Sequence, residues 1–327
     1  MAEAVPTLED VPGVGPATAQ KLRAAGFHTL ESLAVASSRE VAETAGLSEE
    51  RAREFSKRAR EMLHFRFQTA EELLSHRQNI ARLTTGCKAL DALLGGGVET
   101  QGILELIGQY GVGKTQICHA LCVWVQQPVA TGGLEGTALY IDTEGTFRPE
   151  RILEIARGHG LPTDAVLKHI IVARAFNSDH QVLIAEKLDE IITAKNVKLV
   201  IVDSIISHFR AEYLGRESLP TRQQRLNQHL HRLLRMAEVF NLPVVVTNQV
   251  VASPDVFFGP PDRPAGGHIL AHLSTNRVFL RKGKRSTRIA RIIDSPYLPE
   301  GECVFQITTK GVEDVPSAGV DSTGQKL

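Results

Sequence analysis

The chain has 327 residues with 37 basic and 37 acidic side chains, a formal net charge of zero and 43% hydrophobic residues. That length buries a full core and divides into more than one unit; the balanced charge excludes a protein whose whole surface is a polyanion footprint but not one with a local footprint. No apolar run of 18 residues and no amino-terminal signal pattern is present, so no membrane partner is expected.

Residues 1–62 read as a small all-helical unit. In "LEDVPGVGPATAQKLRAAGFHTLESLA" a Pro/Gly turn precedes a helix pattern, with Val11, Val14, Leu22 and Phe27 as its apolar points, and "REVAETAGLSEERAREFSKRAREMLH" adds a second pattern. In "VPGVG" the backbone N–H groups at Gly13 and Gly15 can meet a DNA phosphate without side-chain obstruction, with Lys21 and Arg23 nearby; the same turn can equally serve only to pack two helices. Residues 63–79 read as a linker. It carries Phe65 and Phe67 in a chain where only 5% of residues are aromatic. Local reading leaves open whether Phe67 docks the linker onto its own chain or packs elsewhere.

From about residue 80 the texture becomes α/β. "GILELIGQ", "GTALYIDTE", "HIIVARA", "VKLVIVDS", "LPVVVTNQV" and "NRVFLRKG" are short β-rich runs, apolar on both faces and mostly separated by helical patterns, which predicts covered and largely parallel strands. "TRIARIIDSP" and "GECVFQITTKG" predict a terminal antiparallel hairpin. The α/β core is expected over 80–312, with 313–327 a flexible polar tail. The four cysteines, Cys87, Cys118, Cys122 and Cys303, form no CxxC pair and no Cys/His ligand cluster, which fits a reduced intracellular compartment and thiols that pack as small hydrophobes.

"GQYGVGKT", residues 108–115, matches the phosphate-loop pattern G-x-x-x-x-G-K-[ST] behind an apolar strand run. Gly108, Gly111 and Gly113 let backbone N–H groups crowd around phosphate oxygens, Lys114 supplies a compact positive charge, and Thr115 can ligate Mg²⁺ where a helix opens with its positive end toward the anion. Val112 is compatible with that nest. "KLVIVDS" ends a strand in Asp203, placed to orient water on the metal. "ALYIDTEGTFRPERI" ends one in Asp142 and Glu144; Glu144 is the expected base for the attacking water, its alternative being a charge at a helix amino terminus. Thr247, Asn248 and Gln249 close a further strand and can sense a γ-phosphate or simply end the strand.

Two segments beyond strand ends, 204–234 and 251–272, carry Arg210, Arg216, Arg222, Arg225 and Arg263 among prolines and glycines. They read either as loops that hold nucleic acid or as ordinary surface loops. His268 and His272 lack a third ligand at zinc spacing. "RVFLRKGKRSTRIARII", 277–293, concentrates seven basic residues with no acidic one.

Taken together, "GQYGVGKTQ", "YIDTEGTFRPERI", "LVIVDS", "TNQV", "FFGPPDRPAGGHILAH" and "RKGKRSTRIARIIDSPYLPEGE" resemble the RecA-like strand-exchange recombinases, most specifically their archaeal branch, over roughly residues 5–312. "VPGVGPATAQKL" looks like that family's helix-hairpin-helix DNA-contacting unit. The resemblance implies a RecA-like P-loop ATPase core with a small helical amino-terminal domain, and ATP with Mg²⁺ as the bound species. Nucleotide would be held by Gly108, Gln109, Tyr110, Gly111, Val112, Gly113, Lys114, Thr115 and Gln116, with Arg151 against the adenine. Asp294 and Pro296 would cap the nucleotide of the neighbouring subunit. Thr115 and Asp203 would serve the metal, Glu144 the water, and Gln249 the sensing of nucleotide state. It further implies DNA contacts from Gly13, Gly15, Arg210, Arg216, Arg222, Phe257, Arg263 and His268. Phe67 and Ala70 match a Phe-x-x-Ala assembly motif, so the expected partners are single-stranded DNA, a homologous duplex, further copies of the chain in a helical filament and recombination mediators, at the nucleoid in the cytoplasm.

Overall fold

A computed structural model describes residues 7–63, 69–78, 80–215, 217–252 and 262–316. Its centre is a nine-stranded sheet: β1 (Ile103–Gly108), β2 (Thr137–Asp142), β3 (Ile170–Arg174), β4 (Val197–Asp203), β5 (Val244–Asn248), β6 (Asn276–Lys282), β7 (Thr287–Asp294), β8 (Glu302–Thr308) and β9 (Gly311–Asp314), in the order β9-β8-β7-β6-β1-β5-β4-β2-β3. The six strands from β6 to β3 are parallel, and β7, β8 and β9 extend the sheet antiparallel.

Side chains alternate across a strand, so a strand buried on both sides must be apolar at every position. Leu104, Leu106, Tyr140, Leu199, Ile201 and Val245 enter one core, beneath helices Lys114–Trp124 and Pro149–Gly158. Their neighbours Ile103, Leu139, Ile141, Val200, Val202, Val244 and Val246 enter the other, beneath helices Ser178–Glu186, Leu188–Lys195 and Leu219–Val239. Three of the cysteines are buried and unbridged; burial pushes the Cys87 thiol up to about 12, and its S–H donates to Asp314 at 3.2 Å, while Cys118 and Cys122 lie in the apolar core.

The expected hairpin is present as β7–β8, but the sheet does not stop there. Gly311–Asp314 pairs with β8, so residues 313 and 314, expected in the polar tail, belong to the sheet. The physical reason lies in Asp314, whose carboxylate accepts from the backbone N–H of Lys88 at 3.1 Å and of Ala89 at 2.8 Å, satisfying the exposed donors of helix Lys88–Leu93. Those bonds hold its carboxyl below the ordinary range against a burial effect that acts the other way.

A separate core formed by Val11, Leu22, Phe27, Leu33, Val41 and Phe55 unites helices Pro16–Ala24, Leu30–Val35, Ser38–Ala45 and Glu49–Met62. Thr29, Ser37 and Ser48 cap the last three by accepting backbone N–H groups. This helical unit rests on helix Leu219–Val239 through Glu40, which accepts from Arg235 at 2.9 and 3.1 Å, and on helix Leu188–Lys195 through the His28 N–H, which donates to Asp189 at 3.3 Å. Among the described residues no helix is long and apolar enough to cross a membrane.

Candidate nucleotide site and the loops around it

Because β1, β2, β4 and β5 are parallel, their carboxyl ends open on one rim of the sheet. The phosphate loop leaves β1, the Glu144 loop leaves β2, Asp203 ends β4 and Asn248 ends β5. The loop's tightness demands glycine: a Cβ on Gly108 would lie 2.5 Å from the Leu280 carbonyl oxygen. One on Gly113, at φ +111°, would lie 2.5 Å from Ile307 Cδ1. Val112 is buried in the core, whereas Gln109, Tyr110 and Gly111 are exposed on the outer side of the turn.

Lys114 Nζ donates to the carbonyl oxygens of Gly108 at 2.8 Å and Gln109 at 2.9 Å, which parks the ammonium across the mouth of the loop. Burial pulls its pKa below the ordinary lysine value, opposed by the charges of Asp203 and Glu144. Behind it the free N–H groups of helix Lys114–Trp124 face the same mouth, so loop, cation and helix terminus suit a polyphosphate. Thr115 Oγ1 donates to Asp203 Oδ2 at 2.7 Å. A hydroxyl and a carboxylate are hard oxygen donors of the type Mg²⁺ takes, and the pair fits that ion.

Asp203 is nearly solvent-free and heavily engaged. Besides Thr115 it accepts from the Tyr140 hydroxyl at 2.6 Å and from the Thr247 hydroxyl. Glu144 sits at the rim, exposed, and its Oε1 accepts from Gln249 Nε2 at 2.9 Å. The geometry therefore brings together Lys114, Thr115, Glu144, Asp203 and Gln249, which lie far apart in sequence. Gln116 accepts from Arg151 Nε at 2.7 Å, and Arg151 also donates to the carbonyl oxygen of Thr309 at 3.2 Å, so this arginine ties the phosphate-loop helix to the β8–β9 turn.

Other expected site residues stand apart from this cluster. Asp294 pairs with Arg277 at the start of β6, whereas Gly108 pairs with Leu280 three residues along. That offset is about 10 Å along the strands, so Asp294 lies apart from its own chain's phosphate loop, and Asp294 and Pro296 are both exposed. Gly13, at φ +87°, and Gly15, which opens helix Pro16–Ala24, are both exposed in the helical unit. Arg58 braces that turn by donating to the Pro12 carbonyl oxygen. Arg210 lies in helix Ser207–Glu212 and Arg222 in the first turn of helix Leu219–Val239, so the helical pattern settles earlier than the sequence suggests. Arg225 is held by Tyr213 and Asp179. Backbone pairing puts Arg263 opposite Val251 in a short ribbon, and His268 opens helix His268–Leu273. Ala70 is exposed at the start of helix Ala70–Arg77, while Phe67, Arg216 and Phe257 lie outside the described residues.

Sequence reading missed three supporting groups. Asp142 accepts four successive backbone N–H groups, from Glu144, Gly145, Thr146 and Phe147 at 2.7–3.2 Å, and thereby shapes the loop that carries Glu144. Tyr140 donates to Asp203. Arg277, counted above with the basic run, is instead buried and donates to Glu105 at 2.6 Å. Glu105 also accepts from Asn248 at 2.7 Å, and the same Asn248 amide donates to the Ala265 carbonyl oxygen at 2.7 Å. Glu105 in the middle of an apolar run was the available signal, since a buried carboxylate requires partners.

A Rad51 family model matches residues 76–315, and a SAM-like helix-hairpin-helix tandem model matches residues 5–61. The chain is 54% identical over 307 residues to the DNA repair and recombination protein RadA of Aeropyrum pernix, covering 94% of this chain and 96% of the relative. It is 52% identical over 311 residues to the protein of the same name from Metallosphaera sedula, covering 95% and 96%. With the α/β core, the helical amino-terminal unit and likeness along nearly its whole length, the chain belongs to the Rad51 family, in its archaeal RadA branch.

Proposed function

We propose that this chain acts in homologous recombination and DNA repair as an ATP-dependent strand-exchange recombinase, assembling into a helical filament on single-stranded DNA and promoting invasion of a homologous duplex. The observation that carries the proposal is the Gln249–Glu144 hydrogen bond. It joins the residue placed to activate water directly to the strand end that feeds the segment 250–264, so nucleotide state and the DNA-holding loop share one short stretch of backbone. The Ala265 N–H closes that loop by donating to the Gln249 carbonyl oxygen at 2.8 Å.

In this reading Lys114 exchanges its two carbonyl acceptors for phosphate oxygens of ATP, the loop N–H groups hold the β-phosphate, and Glu144 accepts a proton from the attacking water. Mg²⁺, when bound, neutralises phosphate charge, and Thr115 and Asp203 are the residues that would hold it. Arg151 lies against the adenine, and Asp294 with Pro296 caps the nucleotide of the next subunit, in keeping with their distance from their own phosphate loop. Arg210, Arg216, Arg222, Phe257, Arg263 and His268 hold single-stranded DNA, and Gly13 and Gly15 meet phosphates through residues 1–62. Base pairing then supplies the sequence discrimination, since backbone contacts carry none. Recombination mediators and a nucleoid location in the cytoplasm follow from such a role.

For filament growth, Phe67 and Ala70 in the 63–79 linker dock onto the core, 80–312, of the next subunit. The acceptor is the outer edge of β3, which pairs with no further strand among the described residues and carries the exposed Val172, with exposed Phe176 two residues beyond its end. Seating one phenylalanine there contributes roughly 1.5–3 kcal/mol per contact before the costs of association. The test is electron microscopy with single-stranded DNA, ATP and Mg²⁺. The native chain should give helical filaments, and Phe67→Glu should give none while retaining its thermal unfolding midpoint and nucleotide affinity. Native protein that stays monomeric, or normal filaments from the variant, would contradict the proposal.

A further inference from the structure

Asp203 presents an unusual balance of donors. An ionised carboxylate offers about four lone-pair positions, and three here are taken by hydroxyls: Thr115 and Tyr140 on Oδ2, and Thr247 on Oδ1. Thr115 and Thr247 come from elements already tied to nucleotide binding. Tyr140 does not. It is fully buried in β2, and its ring forms a triangle with those of His119 of the phosphate-loop helix, centroids 5.8 Å apart, and Phe147 of the Glu144 loop, centroids 4.9 Å apart, the latter two lying 5.2 Å from each other. His119 in turn accepts the Arg148 N–H at 3.2 Å.

We infer that the Tyr140 hydroxyl is a positioning donor for the metal side of the nucleotide site, acting through Asp203. With both positions on Oδ2 filled, the carboxylate is fixed in rotation, and the Thr115 proton is committed to it. The remaining Thr115 lone pairs then face the phosphate-loop mouth, where a hard cation is to be received. The free capacity of Asp203 amounts to about one position on Oδ1, which is what remains to serve a cation or a water bound to it. Tyr140 thus commits Oδ2 to orienting Thr115 and leaves Oδ1 as the oxygen of Asp203 that would serve the metal. The His119–Tyr140–Phe147 layer sets how far that carboxylate stands from the loop bearing Glu144.

The inference rests on Thr115 and Asp203 being the Mg²⁺ side of an ATP site, and the experiment separates the two claims. A fluorescent ATP analogue is bound to the full chain while Mg²⁺ is titrated, and binding is measured again in chelator. Tyr140→Phe keeps the ring and deletes the donor. The Mg²⁺ concentration at half-maximal binding should rise about threefold to tenfold, the size of one net hydrogen bond, while affinity in chelator stays at the native value. Thr247→Val removes the donor on the other oxygen and should shift the same midpoint, which keeps the test usable if Tyr140→Phe folds poorly. A variant with a lowered unfolding temperature but an unmoved Mg²⁺ midpoint shows Tyr140 to be packing only and overturns the inference. Native protein whose nucleotide binding ignores Mg²⁺ overturns the site reading beneath it.

Discussion

Glu144→Gln is expected to lower DNA-stimulated ATP turnover by about 10²–10⁴-fold, the range a positioned general base contributes. Four backbone N–H groups converging on Asp142 fix the loop, and the carboxylate then meets Gln249 at the rim of the phosphate site. Glutamine preserves length and can still bond to Gln249, so nucleotide affinity and the fold should hold, and filaments formed with ATP should persist because they cannot turn over. Single-turnover hydrolysis alongside equilibrium nucleotide binding separates these effects. A variant that hydrolyses normally but binds ATP poorly would assign Glu144 to binding and remove it as the base.

Lys114→Ala should act earlier. The ammonium spans the Gly108 and Gln109 carbonyl oxygens, the position a phosphate oxygen would occupy with it. Its loss removes one charge-assisted contact of about 1.5–3 kcal/mol, or roughly tenfold to a hundredfold in nucleotide affinity. Turnover should fall further, by about 10²–10³-fold, because the same charge opposes charge that builds up during phosphoryl transfer. ATP-dependent assembly should fail with it. The measurement is the rise in unfolding temperature on adding ATP and Mg²⁺: the native chain should be stabilised by ligand, and Lys114→Ala at the same concentrations should barely respond. Equal stabilisation of both would dismiss Lys114 as a phosphate contact.

The two cases also mark how far the chain's order of residues carries the reading. Lys114 and Thr115 belong to a contiguous motif, and the central strands β2, β4 and β5 announce themselves because burial on two faces forces a largely apolar run. Glu144, Asp203 and Gln249 are legible as polar residues at the ends of such runs. What stayed hidden depends on pairs brought together only by folding. Arg277 looked like one more charge in a basic stretch, since nothing near it reveals Glu105, 172 residues away. Tyr140 looked like an aromatic strand filler because its use lies in a hydroxyl whose acceptor is 63 residues on. Asp142 was visible at the end of β2, but four N–H groups turning toward one carboxylate is a property of backbone path, not of spacing. Glu313 and Asp314 read as tail because the partners of Asp314, Lys88 and Ala89, sit at the far end of the core sequence.

The central claim is that ATP binding at this rim drives pairing between a single strand and a homologous duplex. The most direct measurement incubates the purified full-length chain, without helper proteins, with single-stranded DNA, a supercoiled duplex containing the same sequence, ATP and Mg²⁺, and scores joint molecules on a gel. The account predicts joint molecules that require ATP, require homology and disappear with Lys114→Ala. Filaments that bind both DNAs and turn over ATP yet yield no joint molecules would contradict it.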